Sequence, residues 1–223
     1  MTTKGLEVHR FWATTLYVAE WADHERHAEG IVRHVRALRD GQSDAIASAV
    51  AVASKSAEGL TEGTFDLFDT EAADLAALRE FARGVVAAAV SHANGGTVPP
   101  DRLDVRFTDS WFHITRTGGF HDAHGHGGCS WCGIYYVRAG ASGPSDGGAA
   151  PNGLNRFYSP VPIGGAFRDY GNRYLERTYV DPPARDGLLI VFPSYLTHAA
   201  LPYRGEAERI VIAFNTTTSL ARR

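Results

Sequence analysis

After Pro99-Pro100 the chain changes character, and this change limits the folds open to it more than any other feature. From there on, apolar residues come in short runs rich in β-branched and aromatic side chains, separated by Gly, Pro, Asp and Asn. Strands are predicted at 103–107, 110–117, 130–138, 154–158, 176–180, 187–192 and 209–215. A run of strands with no helical interlude predicts a sandwich or jelly roll, because a half-buried strand needs a second sheet over its apolar face. Residues 139–153 (AGASGPSDGGAAPNG) hold too few apolar side chains to pack and read as a mobile surface loop. The irregular stretch 160–174 carries Phe167, Tyr170 and Tyr174 and is a candidate lid.

The first half is written in a different period. Residues 7–19 are apolar and β-leaning. Asp23 can then cap a helix in which Ala28, Ile31, Val32, Val35 and Leu38 follow helical spacing and Gly41 supplies a stop. Residues 42–64 are rich in small side chains and read as a packed connector, with a short buried segment at 46–52. A second helix is expected from the caps Asp69 and Thr70, turning Leu75, Leu78, Ala82, Val85, Val86 and Ala89 inward and ending at Asn94-Gly95-Gly96. The expected class is α+β: a single domain in which residues 1–98 form a helical support and residues 99–223 the jelly-roll core.

With Lys+Arg 22 against Asp+Glu 25, the net charge is −3, and the basic residues are scattered rather than gathered into a stripe. No footprint for nucleic acid or an anionic membrane surface is expected. The longest apolar stretch, 45–53, is too short and too interrupted by Ser to span a bilayer, and the N-terminus has no signal-like apolar core, so a cytoplasmic protein is expected. No coiled-coil pattern or symmetric stripe sets an oligomeric state. Only Cys129 and Cys132 are present; a pair this close in sequence cannot staple such a chain, and free thiols packed in the interior are expected. Trp111 and Trp131 read as core or pocket wall, and His9, His24, His27, His34 and His92 as solvated helix or edge residues.

Three of the ten histidines fall between His121 and His126. On an extended chain, positions i and i+2 project from one face, so His124 and His126 can offer two imidazoles to one metal ion. His198 stands just beyond the apolar run Gly187-Leu-Leu-Ile-Val-Phe-Pro193 and can supply a third nitrogen from a neighbouring strand, leaving open coordination positions. Arg209 opens the last predicted strand and can carry an always-charged guanidinium into the same mouth, where its natural partner is a ligand carboxylate. A structural ion pair of Arg209 with Glu206 or Glu208 is the competing reading, and strand alternation weakens the Glu208 version. By the same alternation, only one of His113 and Arg116 can face inward.

This ordered set resembles the small 2-oxoglutarate/Fe(II)-dependent oxygenases of bacteria and phages. The resemblance rests on Trp111, His124-Gly-His126, Cys132-Gly-Ile-Tyr-Tyr136, the stretch from Gly187 to His198, and Glu208 to Asn215. It extends into the first half through Phe11-Trp-Ala-Thr-Thr-Leu16 and Phe65-Asp-Leu-Phe68. It implies a double-stranded β-helix binding Fe(II) through His124, His126 and His198, with Arg209 on the distal carboxylate of 2-oxoglutarate and Tyr136 or Asn155 in support. The implied reaction consumes O₂, decarboxylates 2-oxoglutarate to succinate, and hydroxylates a small molecule, amino acid or peptide side chain.

The wider superfamily has Asp or Glu where His126 stands, so this site lacks one negative charge, and Asp122 is an alternative ligand if the strand bulges. The frames His121-Asp-Ala123 and His126-Gly-Gly128 resemble the carboxylate-free sites of related halogenases. Val211 stands where a hydroxyl residue often follows the arginine. Two other functions fit the residues: a cupin-like three-His dioxygenase or isomerase that does not use 2-oxoglutarate, and a non-enzymatic jelly-roll binding module with structural zinc, for which Cys129 and Cys132 would join the histidines.

Overall fold

The computed structural model describes residues 14–41, 59–63, 65–144, 150–161, 170–171 and 177–221. A first strand, β1 (Tyr17–Glu20), leads into helix α1 (His24–Gly41), followed by β2 (Leu60–Gly63), a single 3-10 turn (Leu67–Asp69) and helix α2 (Ala73–Ala93). Eight further strands complete the described chain: β3 (Leu103–Thr115), β4 (His121–His124), β5 (Trp131–Arg138), β6 (Asn155–Tyr158), β7 (Tyr179–Val180), β8 (Leu188–Pro193), β9 (His198–Ala200) and β10 (Arg209–Leu220). They form two antiparallel sheets, a large one in the order β1-β8-β5-β10-β3-β2 and a small one in the order β4-β9-β6-β7. The architecture is therefore α+β, as the sequence predicts.

Period-two alternation gives the large sheet two apolar faces. Tyr135 and Val137 of β5, Leu189 and Val191 of β8, Ile210, Ile212 and Phe214 of β10, and Phe112 and Ile114 of β3 pack against the helices. The intervening Cys132, Ile134, Tyr136, Leu188, Ile190, Phe192 and Val211 pack on the other face with Phe157 of the small sheet. A sheet buried on both faces explains why β8, Leu-Leu-Ile-Val-Phe-Pro, is apolar throughout. Gly133 marks the tightest approach. A Cβ there would lie 2.1 Å from Cζ of the fully buried Phe214 ring. Gly133→Ala is therefore expected to cost about 2 kcal/mol, read as a lower urea midpoint at unchanged slope.

Helix α1 follows its prediction: Ala28, Ile31, Val32 and Val35 are buried, and the helix ends at Gly41. Helix α2 starts later than its predicted caps. Asp69 closes the 3-10 turn, Thr70 Oγ1 accepts a bond from the Ala72 amide at 3.2 Å, and Ala72 at the cap position makes no side-chain cap. Burial of Leu67 and Phe68 in that turn accounts for the delay, since an earlier helix would withdraw them from the core. At the other end Gly96 takes φ +70° and its amide bonds the Ser91 carbonyl, the turn the Asn-Gly-Gly cluster predicts.

The predicted strands 103–107 and 110–117 are one strand, β3, with Thr108 as an extra residue against β10, which itself runs on to Leu220. Strand β2 falls in the supposed connector and pairs with the end of β3; the expected buried segment at 46–52 lies outside the described residues. The supposed mobile loop is held at both ends: Gly143 and Asn152 bridge, Ala139 is buried, and the Tyr203 hydroxyl accepts from the Ala141 amide. That tyrosine, 62 residues away, supplies the packing the loop lacks.

Among the helix histidines, His24 departs from expectation. His24 is buried, its Nδ1 2.6 Å from the Tyr135 hydroxyl, and burial holds its pKa below the ordinary value. His27 Nδ1 meets Asp74 at 2.7 Å, and the exposed His92 meets the Tyr17 hydroxyl at 2.9 Å. His9 lies outside the described residues.

Candidate active site

Antiparallel pairing across the small sheet assembles the histidines. In register, His124 of β4 stands opposite His198 of β9, whose other flank faces Phe157 of β6. His126 follows β4 on a segment whose amide is fixed to the Ser194 carbonyl at 3.1 Å. One nitrogen each from His124, His126 and His198 lies within 4.8 Å of the others. Ring centroids are 4.3 Å apart for His124 and His198 and 5.2 Å for the two pairs that include His126.

The backbone fixes two of the ring orientations. His124 Nδ1 lies 2.7 Å from the Asp122 carbonyl oxygen and His198 Nδ1 3.1 Å from that of Leu196, so each Nδ1–H donates to a carbonyl and Nε2 keeps its lone pair. His126 Nε2 is buried with no hydrogen-bond partner, while its ring stacks on Trp111 at 5.6 Å. Three neutral nitrogens converging on one point, one of them an orphaned acceptor or donor in the interior, fit a mid-row transition metal. Asp122 is exposed and outside this set among the described residues, and so are Cys129 and Cys132.

Burial, with the nearby His124 second, pushes the pKa of His198 down to about 3 and that of His126 down to about 4. Both stay neutral at pH 7, the state a metal needs. Because the unfolded chain takes up these protons near 6.5 and the folded chain refuses them, metal-free protein has its full stability above about pH 6.5 and loses it as pH falls toward 4 and 3. Each histidine is expected to contribute about 2 kcal/mol to the loss between pH 7 and pH 5. Urea midpoints at the two pH values check this, and His126→Asn should remove part of the difference.

Arg209, at the start of β10, is only 2% exposed. Its neighbour Glu208 turns the other way and binds Arg36, Arg39 and Arg116, tying α1 to this end of the sheet. Arg116 is thus the outward member of its pair and His113 the inward one. Arg209 donates to Asn155 Oδ1 at 3.1 Å and its Cζ lies 5.3 Å from the Tyr136 ring centre, but no carboxylate pairs with it among the described residues. Arg209 Nε, Asn155 Nδ2, the Tyr136 hydroxyl and Trp111 Nε1 are all buried without partners. Such a group of unsatisfied donors around a buried cation is costly unless an anion joins it. Burial also holds the Tyr136 hydroxyl protonated, so it can donate.

Arg209, Asn155 and Trp111 share a pocket with the histidines, walled further by Ile134, Phe192, Val211 and Ala213. Tyr136 stands deeper in the same interior. Of the candidate lid, Tyr170 is 81% exposed, and Phe167 and Tyr174 lie outside the described residues.

Sequence reasoning missed Glu62. This residue of β2 is buried, with Oε2 2.5 Å from His113 Nε2 on the pocket wall. It also missed Thr115, which faces Arg209 in register with its hydroxyl buried and unpartnered. Thr115 continues the Trp111, His113 alternation on β3, and that pattern could have found it; nothing in Leu-Thr-Glu-Gly marks Glu62 as interior.

Residues 109–215 match the family model described as "Putative 2OG-Fe(II) oxygenase". No curated protein matches the chain. Several solved structures share its fold. A prolyl-4-hydroxylase from Pseudomonas putida is 16% identical, with 91% of this chain and 92% of that one covered and a TM-score of 0.55. HygX from Streptomyces hygroscopicus, solved with nickel, 2-oxoglutarate and hygromycin B bound, is 13% identical, with 92% and 83% covered and a TM-score of 0.55. A prolyl hydroxylase from Trichoplax adhaerens, in complex with a hypoxia inducible factor oxygen degradation domain peptide, is 15% identical, with 91% and 83% covered and a TM-score of 0.56. Fold and pocket together are those of a two-sheet protein with a candidate metal site beside a buried cation. The matched segment holds His124, His126, His198 and Arg209. Among the described residues, no helix is long and apolar enough to cross a membrane.

Proposed function

We propose that this protein is a hydroxylase of a small molecule, amino acid or peptide side chain, built as one double-stranded β-helix domain. In this reading His124, His126 and His198 hold Fe(II), and Arg209, Tyr136 and Asn155 hold 2-oxoglutarate. The single observation that carries it is the buried Arg209 guanidinium, unpaired by any carboxylate among the described residues, in one pocket with three convergent neutral imidazoles. The jelly-roll reading is supported by the strand order β8-β5-β10-β3 facing β4-β9-β6-β7, with the histidines on the smaller sheet and the arginine on the larger.

Bound iron would supply activation of O₂ and the oxidative decarboxylation of the co-substrate. The residues of this chain do the rest. Arg209 presents a planar fork to the distal carboxylate, and its neighbours Tyr136 and Asn155 can donate to the remaining oxygens. Val211, fully apolar, offers no further bond there, so these donors carry that end of the co-substrate. Trp111 and Phe192 keep water from the imidazoles, Trp111 by stacking on His126 and Phe192 with its ring 4.7 Å from His198. A peptide or small-molecule substrate is in keeping with the titles of HygX and the Trichoplax enzyme. The three-His reading without 2-oxoglutarate gives Arg209 no task, and the zinc reading requires thiols that stand apart from the histidines.

The test is stoichiometry. With Fe(II) and 2-oxoglutarate, the protein is expected to consume O₂ and release succinate in equal amounts, slowly without substrate and faster when a substrate panel finds a match. Oxygen uptake without succinate would overturn the assignment.

A further inference from the structure

Cys129 and Cys132 have no part in the chemistry above, yet the fold holds them together. Their sulfurs are 3.7 Å apart, both thiols are free, Cys129 is half-buried and Cys132 is 1% exposed. A disulfide needs the sulfurs about 2 Å apart, so the two side chains must draw together for it to form. The segment carrying them is clamped on both sides. The Ser130 amide bonds the Thr216 carbonyl of β10, the Ser194 amide bonds the Ser130 carbonyl, and the Ser194 hydroxyl donates to the Cys129 carbonyl at 2.8 Å. The carbonyl of that same Ser194 holds the His126 amide. On the inner side, the Cys132 thiol donates to Asn215 Oδ1 at 3.1 Å and lines the pocket with His126. The thiol pair and His126 therefore share one support.

We propose that Cys129 and Cys132 form a redox-modification site in which hydrogen peroxide drives an intramolecular disulfide that displaces His126. The Cys129 sulfur attacks one peroxide oxygen, the O–O bond breaks, and one water leaves with a sulfenic acid on Cys129. The Cys132 sulfur then displaces that hydroxyl, which departs as a second water with the Cys132 proton. Two thiols lose two electrons and two protons in all, and one peroxide becomes two waters. Cys129 is the side an oxidant can reach, whereas Cys132 is buried beside it and is held to the resolving step by position, its sulfur 3.7 Å from that of Cys129. Once bonded to Cys129, the Cys132 sulfur has no proton to give Asn215, and the Ser194 clamp must follow the drawn-in segment.

The experiment uses the metal-free, reduced full chain treated with hydrogen peroxide. Titratable thiols are expected to fall from two to none, and the peptide carrying both cysteines to become about 2 Da lighter, both reversed by dithiothreitol. The His126 ring-proton NMR signal, assigned through His126→Asn, should shift on oxidation and return on reduction, and Cys129→Ser should show neither change. Thiols that persist, cysteines that gain oxygen without pairing, or a disulfide that leaves the His126 signal in place would each overturn the proposal. The consequence for metal rests on His126 being a ligand, and Ni(II) titration of the same samples tests it separately, with affinity expected to fall about tenfold on oxidation. Reduced protein that binds no Ni(II) contradicts the proposed function, while the thiol and NMR readouts still decide the disulfide.

Discussion

Replacing Arg209 with alanine is expected to raise the 2-oxoglutarate concentration needed for half-maximal turnover by about 100-fold or more. The reasoning starts from burial. The guanidinium is 2% exposed, its hydrogen-bond partner is the neutral Asn155, and Nε is unpartnered. A cation kept there already bears its desolvation cost, so an arriving carboxylate gains charge-assisted bonds at little further cost. Losing a pair of such bonds costs about 3 kcal/mol. Without ligand the sign reverses: Arg209→Ala removes an uncompensated buried charge and is expected to unfold no earlier than the wild type. Arg209→Lys, which keeps the charge and loses the fork, should fall between. Thermal shift with and without 2-oxoglutarate checks both halves. A variant still stabilised by 2-oxoglutarate with an unchanged half-saturation would contradict the role.

His198→Ala is expected to abolish turnover and to weaken metal binding by more than about 100-fold, since loss of an outer hydrogen-bond partner alone costs 10–100-fold. His198 opens β9, paired on one side with β4 and on the other with β6, so no neighbouring chain can move in to replace its nitrogen. Asp122→Ala is the matching control. The Asp122 carboxylate is exposed, and its backbone carbonyl accepts from His124, a contact that survives the substitution. Metal affinity is expected to be unchanged in Asp122→Ala, reduced in His126→Ala and most reduced in His198→Ala, measured by calorimetry with Ni(II). A large loss in Asp122→Ala would move the third ligand from His126 to Asp122.

The parts of this architecture legible in the sequence are those whose signal is local. Helix α1 announces itself because Ala28, Ile31, Val32 and Val35 lie on one face, and β8 because six apolar residues end at a turn. The three histidines and Arg209 could be named because an i, i+2 pair, a residue past a buried strand and the first residue of the last strand are all readable from spacing. What escaped depends on partners far along the chain. Strand β2 is four residues with no alternation and exists because β3 offers it an edge; Glu62 is interior because His113 receives it. His24 sits on what looks like the polar face of α1 and is buried by Tyr135, 111 residues on. The 139–153 segment is anchored by Tyr203, 62 residues from Ala141. No window of sequence contains both halves of any of these contacts.

The central claim is that three histidines hold the metal beside the arginine that binds the co-substrate. An anaerobic visible spectrum of Fe(II)-reconstituted protein, taken before and after 2-oxoglutarate is added, tests it most directly. A metal-to-ligand charge-transfer band is expected to appear with 2-oxoglutarate, to be absent in His198→Ala, and to need far more 2-oxoglutarate in Arg209→Ala. Iron bound normally with no new band, or a band indifferent to both substitutions, would contradict the account.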